Sequence, residues 1–345
     1  MATAPGRVQI DFPHRRAGHC GSGALRDLLE FHGLSWGPEP LPEGLVFGLG
    51  AGLGFAYVEL PDFDPPLYLV GRTGGLERDV CANLDIDLDL RQTDDPDEGW
   101  ALLKAQLDAG RPTMVWADIR ELDYLRVRLQ MTMHDIVITG YDQAEGVAFV
   151  ADNDRDEIQR CSLQALARAR HSDGFPRPNR HGTWVMDFPR RLPEPRETVR
   201  RAVVGAVANM RAGGEALGAG ADSTGLAGVG SFARAYERWP ERFGQRLEGA
   251  LSALTAYVVK AGTGGALFRS LHAGFLHDAG ELLDDAELDA AGERYDALAA
   301  AWAALAAAAA DDEPVRAHLA GRPLVEDVVR LETAGVEAME RWLDA

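Results

Sequence analysis

The sequence predicts an α+β domain followed by an all-α domain, and three observations carry that assignment. Before about residue 190, short β-rich runs alternate with Gly/Pro turns and a few helices; after it, Ala/Leu/Glu/Arg patterning dominates and strand signals vanish. Between the halves lies PRRLPEPRE (189–197), whose prolines read as a linker. The length of 345 residues suits two domains of roughly 100–200 residues each, placed at 1–190 and 191–345.

Taken in order, Ser22 is placed to cap a first helix running to about His32. Leu25, Leu28, Leu29 and Leu34 follow helical spacing there, and Gly33 supplies a stop. Strands are expected at Leu45–Val58, Leu67–Val70, Thr113–Ala117, Asp135–Tyr141, Val147–Ala151 and Thr183–Phe188. Asp85, Asp87 and Asp89 alternate with Ile86, Leu88 and Leu90, the pattern of a solvated strand face. A helix from about Asp97 to Ala109 precedes the third strand, and Ser162 caps another through Arg170. One helix followed by a mostly antiparallel sheet is unlike the regular alternation of a doubly wound fold. In the second half, helices are expected near 195–218, 226–238, 240–261, 264–280, 284–311 and 323–343, with Gly262, Gly264 and Gly265 breaking the bundle.

Composition is that of a globular chain: 46% hydrophobic, 26% charged and 8% aromatic. The formal charge of −19 repels phosphate backbones and anionic lipid, so neither nucleic acid nor a membrane surface is an expected partner. Lys104 and Lys260 are the only lysines among 35 basic residues, a skew that reads as GC-rich bacterial codon usage. No signal peptide is legible over Met1–Arg7 and no run of 18 uncharged apolar residues occurs. With an odd count of cysteines (Cys20, Cys81, Cys161), the expectation is a cytoplasmic protein with reduced thiols. His14, His19 and Cys20 lack any metal-ligand spacing, so neither a metal nor a bound cofactor is expected.

Cys20 stands in His19-Cys20-Gly21-Ser22-Gly23, immediately before the first helix. A thiol at a helix N-terminus faces unpaired N–H groups and the positive end of the dipole, which favours thiolate. The same N–H groups could hold an oxyanion, and the small residues at 21–23 leave room for a substrate. The alternative is a buried structural cysteine. A thiolate nucleophile needs a base and an orienter. His134 opens one strand and Asp152 follows the next. If these pair across the turn at Gln143–Gly146, the imidazole and the carboxylate come within reach. Otherwise, His134 is a satisfied strand histidine and Asp152 opens a turn.

This order resembles papain-like cysteine proteins of the bacteriocin-processing (C39-like) type. Over HCGSGALRDLLEFHGL (19–34), EGLVFGLGAGLGFAYVEL (43–60) and HDIVITGYD with FVADND (134–154) the chain is similar to the N-terminal domain of butirosin biosynthesis protein H. GTGGALFRSLHAGFLHDA (262–279) resembles the helical second domain, of unassigned role, that often accompanies it. The resemblance implies a papain-like first domain and an acyltransferase of bacterial antibiotic biosynthesis. An acyl thioester on the phosphopantetheine of an acyl carrier protein passes to Cys20, then to a small-molecule amine, with His134 and Asp152 as base and orienter. Papain-like enzymes place a glutamine shortly before the cysteine. None stands between Phe12 and Cys20, so His14, His19 or backbone N–H groups would complete the oxyanion hole. Two rivals stay open: a papain-like hydrolase (peptidase or carrier-protein thioesterase), and a non-catalytic binding module.

Four further positions are candidates for the substrate. Gly50 and Gly52, within Gly48-Leu49-Gly50-Ala51-Gly52-Leu53-Gly54, bare one face of an expected strand for close packing or for a substrate groove. The run lacks the dinucleotide G-x-G-x-x-G spacing. Glu43 resembles the family's acidic position and would bind an amine or anchor a turn. Arg269, after the glycine break, would face the Cys20 pocket or pair with a carboxylate such as Asp278 or Glu281. Arg15, Arg16, Arg120, Arg126, Arg128, Arg177 and Arg180 would form a basic rim for pantetheine phosphate if they converge. The helical domain is left three roles: completing the acceptor pocket, forming a homodimer, or docking the carrier.

Overall fold

The computed structural model describes residues 6–60, 63–213, 223–260 and 263–345. In chain order, β1 (Arg7–Gln9) and α1 (Cys20–Phe31) come first, then α2 (Glu43–Leu49), β2 (Leu53–Glu59), β3 (Leu67–Arg72) and α3 (Leu76–Asn83). Next are β4 (Asp87–Arg91), α4 (Pro96–Asp108), β5 (Thr113–Ala117), β6 (His134–Asp142), β7 (Val147–Ala151), β8 (Gln159–Ser162), α5 (Leu163–His171) and β9 (Thr183–Asp187). The remaining elements are α6 (Pro195–Ala212), α7 (Gly225–Glu237), α8 (Trp239–Phe243), α9 (Leu247–Thr255), α10 (Arg269–Leu283), α11 (Ala286–Ala309) and α12 (Pro314–Asp344). Among the described residues, no helix is long and apolar enough to cross a membrane.

These elements form two compact units that are discontinuous in sequence. One comprises residues through Leu41 together with Asp85–Leu192; the other comprises Pro42–Leu84 and the chain from Pro193. The segment 42–84, placed by the sequence reading in the first domain, therefore packs with the helices that follow residue 192.

In the first unit, antiparallel strands run in the order β4-β9-β5-β6-β7-β8, with β1 paired to the far end of β6. Val115, Ala117, Ile136, Ile138 and Val150 share a core with Leu103 and Leu107 of α4 and with Ala165, Leu166 and Ala169 of α5. Strand residues of opposite parity, Met114 and Trp184, lie beside Leu28 of α1 and His32, its C-cap. The period-two alternation of these strands thus buries both faces of the sheet. Asp95 caps α4 by accepting from the N–H groups of Asp97 and Glu98, and Ser162 caps α5 through Ala165.

In the second unit the expected strand Leu45–Val58 is divided: α2 takes its first part and only Leu53–Glu59 is extended. Side-chain packing overrides the apparent alternation. A Cβ on Gly48 would lie 1.8 Å from the Phe275 ring, and one on Gly44 about 3.0 Å from the backbone of Gly274, so α2 crosses α10 at a distance only glycine allows. A Cβ on Gly50 would meet the carbonyl of Leu76 at 2.6 Å, and one on Gly52 that of Phe47 at 2.7 Å. Protein fills the space over both glycines, which corrects their reading as a substrate wall. The glycine break is present as a turn, with Gly264 and Gly265 at positive φ (64° and 86°), and α10 begins at Arg269; Gly262 lies outside the described residues. The expected helix 240–261 is split into α8 and α9. The last helix starts at Pro314 rather than 323, because Glu313 caps it through Val315 and Arg316, and Pro323 is carried inside it.

Arg269 organises this unit. Its side chain is 0% exposed. Nη1 donates to the carbonyls of Gly54 (3.0 Å), Gly71 (2.8 Å) and Leu267 (3.0 Å), while Nε donates to Glu332 Oε1 at 2.8 Å. Trp302 Nε1 donates to the same carboxylate oxygen at 2.8 Å. The expectation that Arg269 contacts substrate is corrected: the guanidinium is enclosed, and its carboxylate partner is Glu332 rather than Asp278 or Glu281. Removing one member of a buried ion pair typically costs about 3–5 kcal/mol, because the other is left buried and uncompensated. Arg269→Ala in the full chain is expected to lower the unfolding free energy measured in urea by an amount of that order, and Glu332→Gln by less; a wild-type unfolding curve for Arg269→Ala would contradict this assignment.

Candidate functional site

α1 begins two residues before the expected cap: Cys20 is its first residue and His19, not Ser22, is its N-cap. His19 has extended backbone angles (φ −142°, ψ 143°), and its Nδ1 accepts from the Ser22 amide at 3.3 Å. Accepting requires an unprotonated Nδ1, so the capping form of the ring carries its proton on Nε2.

The segment entering this helix is clamped on both sides. His14 Nδ1 meets Asp27 Oδ2 at 2.7 Å, Arg26 Nε donates to Asp27 Oδ1 at 2.9 Å, and Arg26 Nη1 donates to the Arg16 carbonyl at 3.2 Å. Ala17 N donates to the Asn153 carbonyl (3.0 Å), and Asn153 Nδ2 donates back to the Ala17 carbonyl (3.3 Å). These last bonds tie the approach to Cys20 to the residue after Asp152. A Cβ on Gly23 would fall 2.4 Å from Ala17 Cβ, so the small residue there admits the chain's own backbone segment, not a substrate. Gly21, Ser22 and Gly23 are buried, while Cys20 is half-buried.

His134 opens β6 and Asp152 directly follows β7, its antiparallel neighbour. His134 Nε2 lies 3.1 Å from Asp152 Oδ1, with the Asp152 side chain at 0% exposure. With Nε2 engaged by the acid, Nδ1 is the nitrogen left for the Cys20 thiol, whose pKa the imidazole lowers. Two donors complete the carboxylate: the Asp154 amide reaches Oδ1 at 3.3 Å and the Tyr124 hydroxyl reaches Oδ2 at 2.6 Å. Tyr124 is absent from the sequence reading; it stands in the irregular stretch before β6, where no periodicity or motif marks it.

Electrostatics set the protonation states. Burial by itself would raise the Cys20 pKa. The electrostatic influence of the neighbouring imidazoles His19 and His134, with hydrogen bonding, outweighs it, holding the thiol well below the ordinary value. Burial would lower His134, but the Asp152 charge and hydrogen bond, with the Cys20 partner, push it well above 6.5. Asp152 is lowered despite burial by His134 and the hydrogen bonds it accepts. Both directions favour a thiolate beside an imidazolium. Cys81 and Cys161, both buried, are pushed up to about 12 by burial and nearby carboxylates.

The structure thus brings Cys20, His19, His134 and Asp152 together in one unit. Glu43, Gly50, Gly52 and Arg269 belong to the other. Glu43 opens α2, where its carboxylate suits the positive end of the helix. Of the seven candidate rim arginines, Arg15 is engaged by Glu30, Arg16 by Asp156 (3.5 Å) and Arg180 by Asp94 (2.8 Å). Arg120, Arg126, Arg128 and Arg177 are exposed.

Fold and site together define a mixed α/β protein with an antiparallel sheet, a Cys–His–Asp constellation and a C-terminal helical region. The model of the N-terminal domain of butirosin biosynthesis protein H matches residues 19–153, and that of a domain of unknown function, DUF4872, matches residues 164–341, just over half the chain. The chain belongs to this butirosin biosynthesis protein H-like family. No curated protein matches it.

The pKa directions fix a reactivity order. Cys20, lowered, stays thiolate as pH falls through the ordinary thiol range and protonates only below it; Cys81 and Cys161, raised, stay thiols. Iodoacetamide between about pH 6 and 8 is expected to label Cys20 first, at a rate that climbs by less than tenfold per pH unit. Labelling of Cys81 or Cys161 ahead of Cys20, or a Cys20 rate that climbs tenfold per pH unit across this range, would contradict it.

Proposed function

We propose that this chain is a papain-like (C39-like) cysteine acyltransferase of bacterial antibiotic biosynthesis. It moves an acyl group from a carrier-protein pantetheine thioester to an amine. The observation that carries the reading is the half-buried Cys20 at a helix N-terminus, its pKa lowered by His19 and by a His134 imidazole that meets Asp152. Membership of a family described by butirosin biosynthesis supports the biosynthetic setting.

The steps follow from the protonation states. The Cys20 thiolate attacks the thioester carbonyl, the carbonyl carbon becomes tetrahedral, and its oxygen takes the negative charge. Amides of the first turn of α1 and the Nε2–H of His19 are the donors for that oxygen. The intermediate collapses, breaking the bond to the pantetheine sulfur, which leaves with the proton of the His134 imidazolium. The acceptor amine then attacks the Cys20 acyl-enzyme; neutral His134 removes its proton, an amide forms, and Cys20 leaves as thiolate beside a restored imidazolium. Asp152 holds the ring and stabilises its charged form throughout.

Incubation with an acyl-pantetheine thioester is expected to add one acyl mass to Cys20, and a subsequent amine to remove it as an amide. Release only as free acid would favour the hydrolase, and no Cys20 adduct at all would favour the binding module. His134→Ala is expected to lower amide formation by about 10²–10⁴-fold in protein that is still folded, and Asp152→Asn by less. Near wild-type turnover in His134→Ala would require another base.

A further inference from the structure

Asp152 offers two oxygens, and His134 uses one. The other, Oδ2, receives the hydroxyl of Tyr124 at 2.6 Å, within the range of a charge-assisted O–H···O⁻ bond. Nothing about that phenol is adventitious. Its ring packs against the core shared by β5–β8, α4 and α5. Its backbone carbonyl accepts from Arg155 Nη2 at 3.4 Å, and the adjoining Asp123 Oδ2 accepts from the Ser162 amide at 3.1 Å. The irregular stretch between β5 and β6 is thereby pinned to β8 and to the loop that carries Asp152. Burial and the Asp152 charge push the Tyr124 pKa well above 10, so the hydroxyl remains a donor throughout the working range.

A carboxylate bound through a single oxygen turns about its Cβ–Cγ bond, and each turn lengthens or breaks the bond to the imidazole. With Oδ2 held by a phenol and Oδ1 by His134 and the Asp154 amide, that rotation is blocked. We propose that Tyr124 is a positioning residue for the Cys20–His134–Asp152 site, locking the rotation of Asp152 so that Oδ1 stays on His134 Nε2. The assignment rests on the proposed function for its catalytic meaning, but its geometry is read out without turnover. Tyr124 touches neither the thiol nor the acyl group in this role; it acts through Asp152 alone. Its loss frees a buried carboxylate oxygen, loosens the bond to His134 and lets the imidazolium lose its proton at lower pH.

The test uses the full chain and three variants: Tyr124→Phe, which removes only the hydroxyl, Asp152→Asn, and the double variant. The His134 imidazole titration is followed by NMR, beside Cys20 labelling by iodoacetamide and amide formation from an acyl-pantetheine thioester. In Tyr124→Phe the His134 titration is expected to move down by about one pH unit. On the same reasoning kcat should fall about tenfold at unchanged KM, as expected when only transition-state stabilisation is lost. In the Asp152→Asn background the Tyr124→Phe change is expected to have no further effect on either, since the two act as one unit. A lowered thermal midpoint with the wild-type His134 titration and kcat would make Tyr124 structural and overturn the proposal. So would an undiminished Tyr124→Phe effect in the Asp152→Asn background. If wild-type His134 titrates at the ordinary value and Cys20 is not labelled first, the proposed function itself fails; if both wild-type signatures hold and Tyr124→Phe changes neither, only the role of Tyr124 fails.

Discussion

The burial of the Arg269 guanidinium is the constraint on which the second unit depends. A cation removed from water is tolerated only where it is compensated: here three backbone carbonyls accept from Nη1, and the Glu332 carboxylate accepts from Nε and lies 2.8 Å from Nη2. Those acceptors come from β2, β3, the turn before α10, and α12. One side chain therefore fixes where a hairpin lies against two helices far from it in sequence. Phe47 stacked on Phe268, Phe55 beside Trp302, and Trp239 hydrogen-bonded to the Tyr57 hydroxyl close the apolar space around it. The first unit repeats the principle with Arg170, whose guanidinium reaches the carbonyls of Gly99 and His181 and the Thr183 hydroxyl.

The thiol site is a balance of opposed effects of the same kind. Burial disfavours both the thiolate and the imidazolium; His19 and His134 favour the first, and Asp152 and Cys20 favour the second. Neither residue's state is a property of that residue. The segment 14–17 matters as much to this balance as the titrating groups do. The His14–Asp27–Arg26 cluster and the Ala17–Asn153 bonds hold the start of α1 against the end of β7, and so hold the sulfur near the ring.

What was legible in the sequence was local. The strands Thr113–Ala117 and Val147–Ala151 stand where their alternation puts them, and the short connection between β6 and β7 made the meeting of His134 with Asp152 a matter of antiparallel register. Cys20 was conspicuous because small residues and a helical pattern follow it. What stayed hidden was nonlocal. Glycines at alternate positions read as a strand face, whereas Gly44 and Gly48 serve a crossing with α10, more than two hundred residues away in the chain. Glu332 as the partner of Arg269, and Tyr124 as a donor to Asp152, depend on tertiary meetings that no spacing encodes. His19 was noted beside the thiol, but its capping role required knowing that α1 starts at Cys20.

The interleaving of the two units bears on how such a protein can be cut, shuffled or inherited. The chain passes from one unit to the other after Leu41, returns after Leu84, and leaves again after Leu192. Cys20 thus lies upstream of an excursion into the helical unit, and His134 and Asp152 lie downstream of it. A gene fragment ending near residue 190 would encode every member of the thiol site yet leave α2, β2, β3 and α3 without the helices they pack on, with Phe47 and Phe55 stripped of their ring partners. A fragment beginning there would lose two of the three carbonyls that accept from Arg269, those of Gly54 and Gly71. The site and the helical region are for this reason a single heritable module, and a recombination event that exchanged one without the other would have to break the fold before it could alter the chemistry.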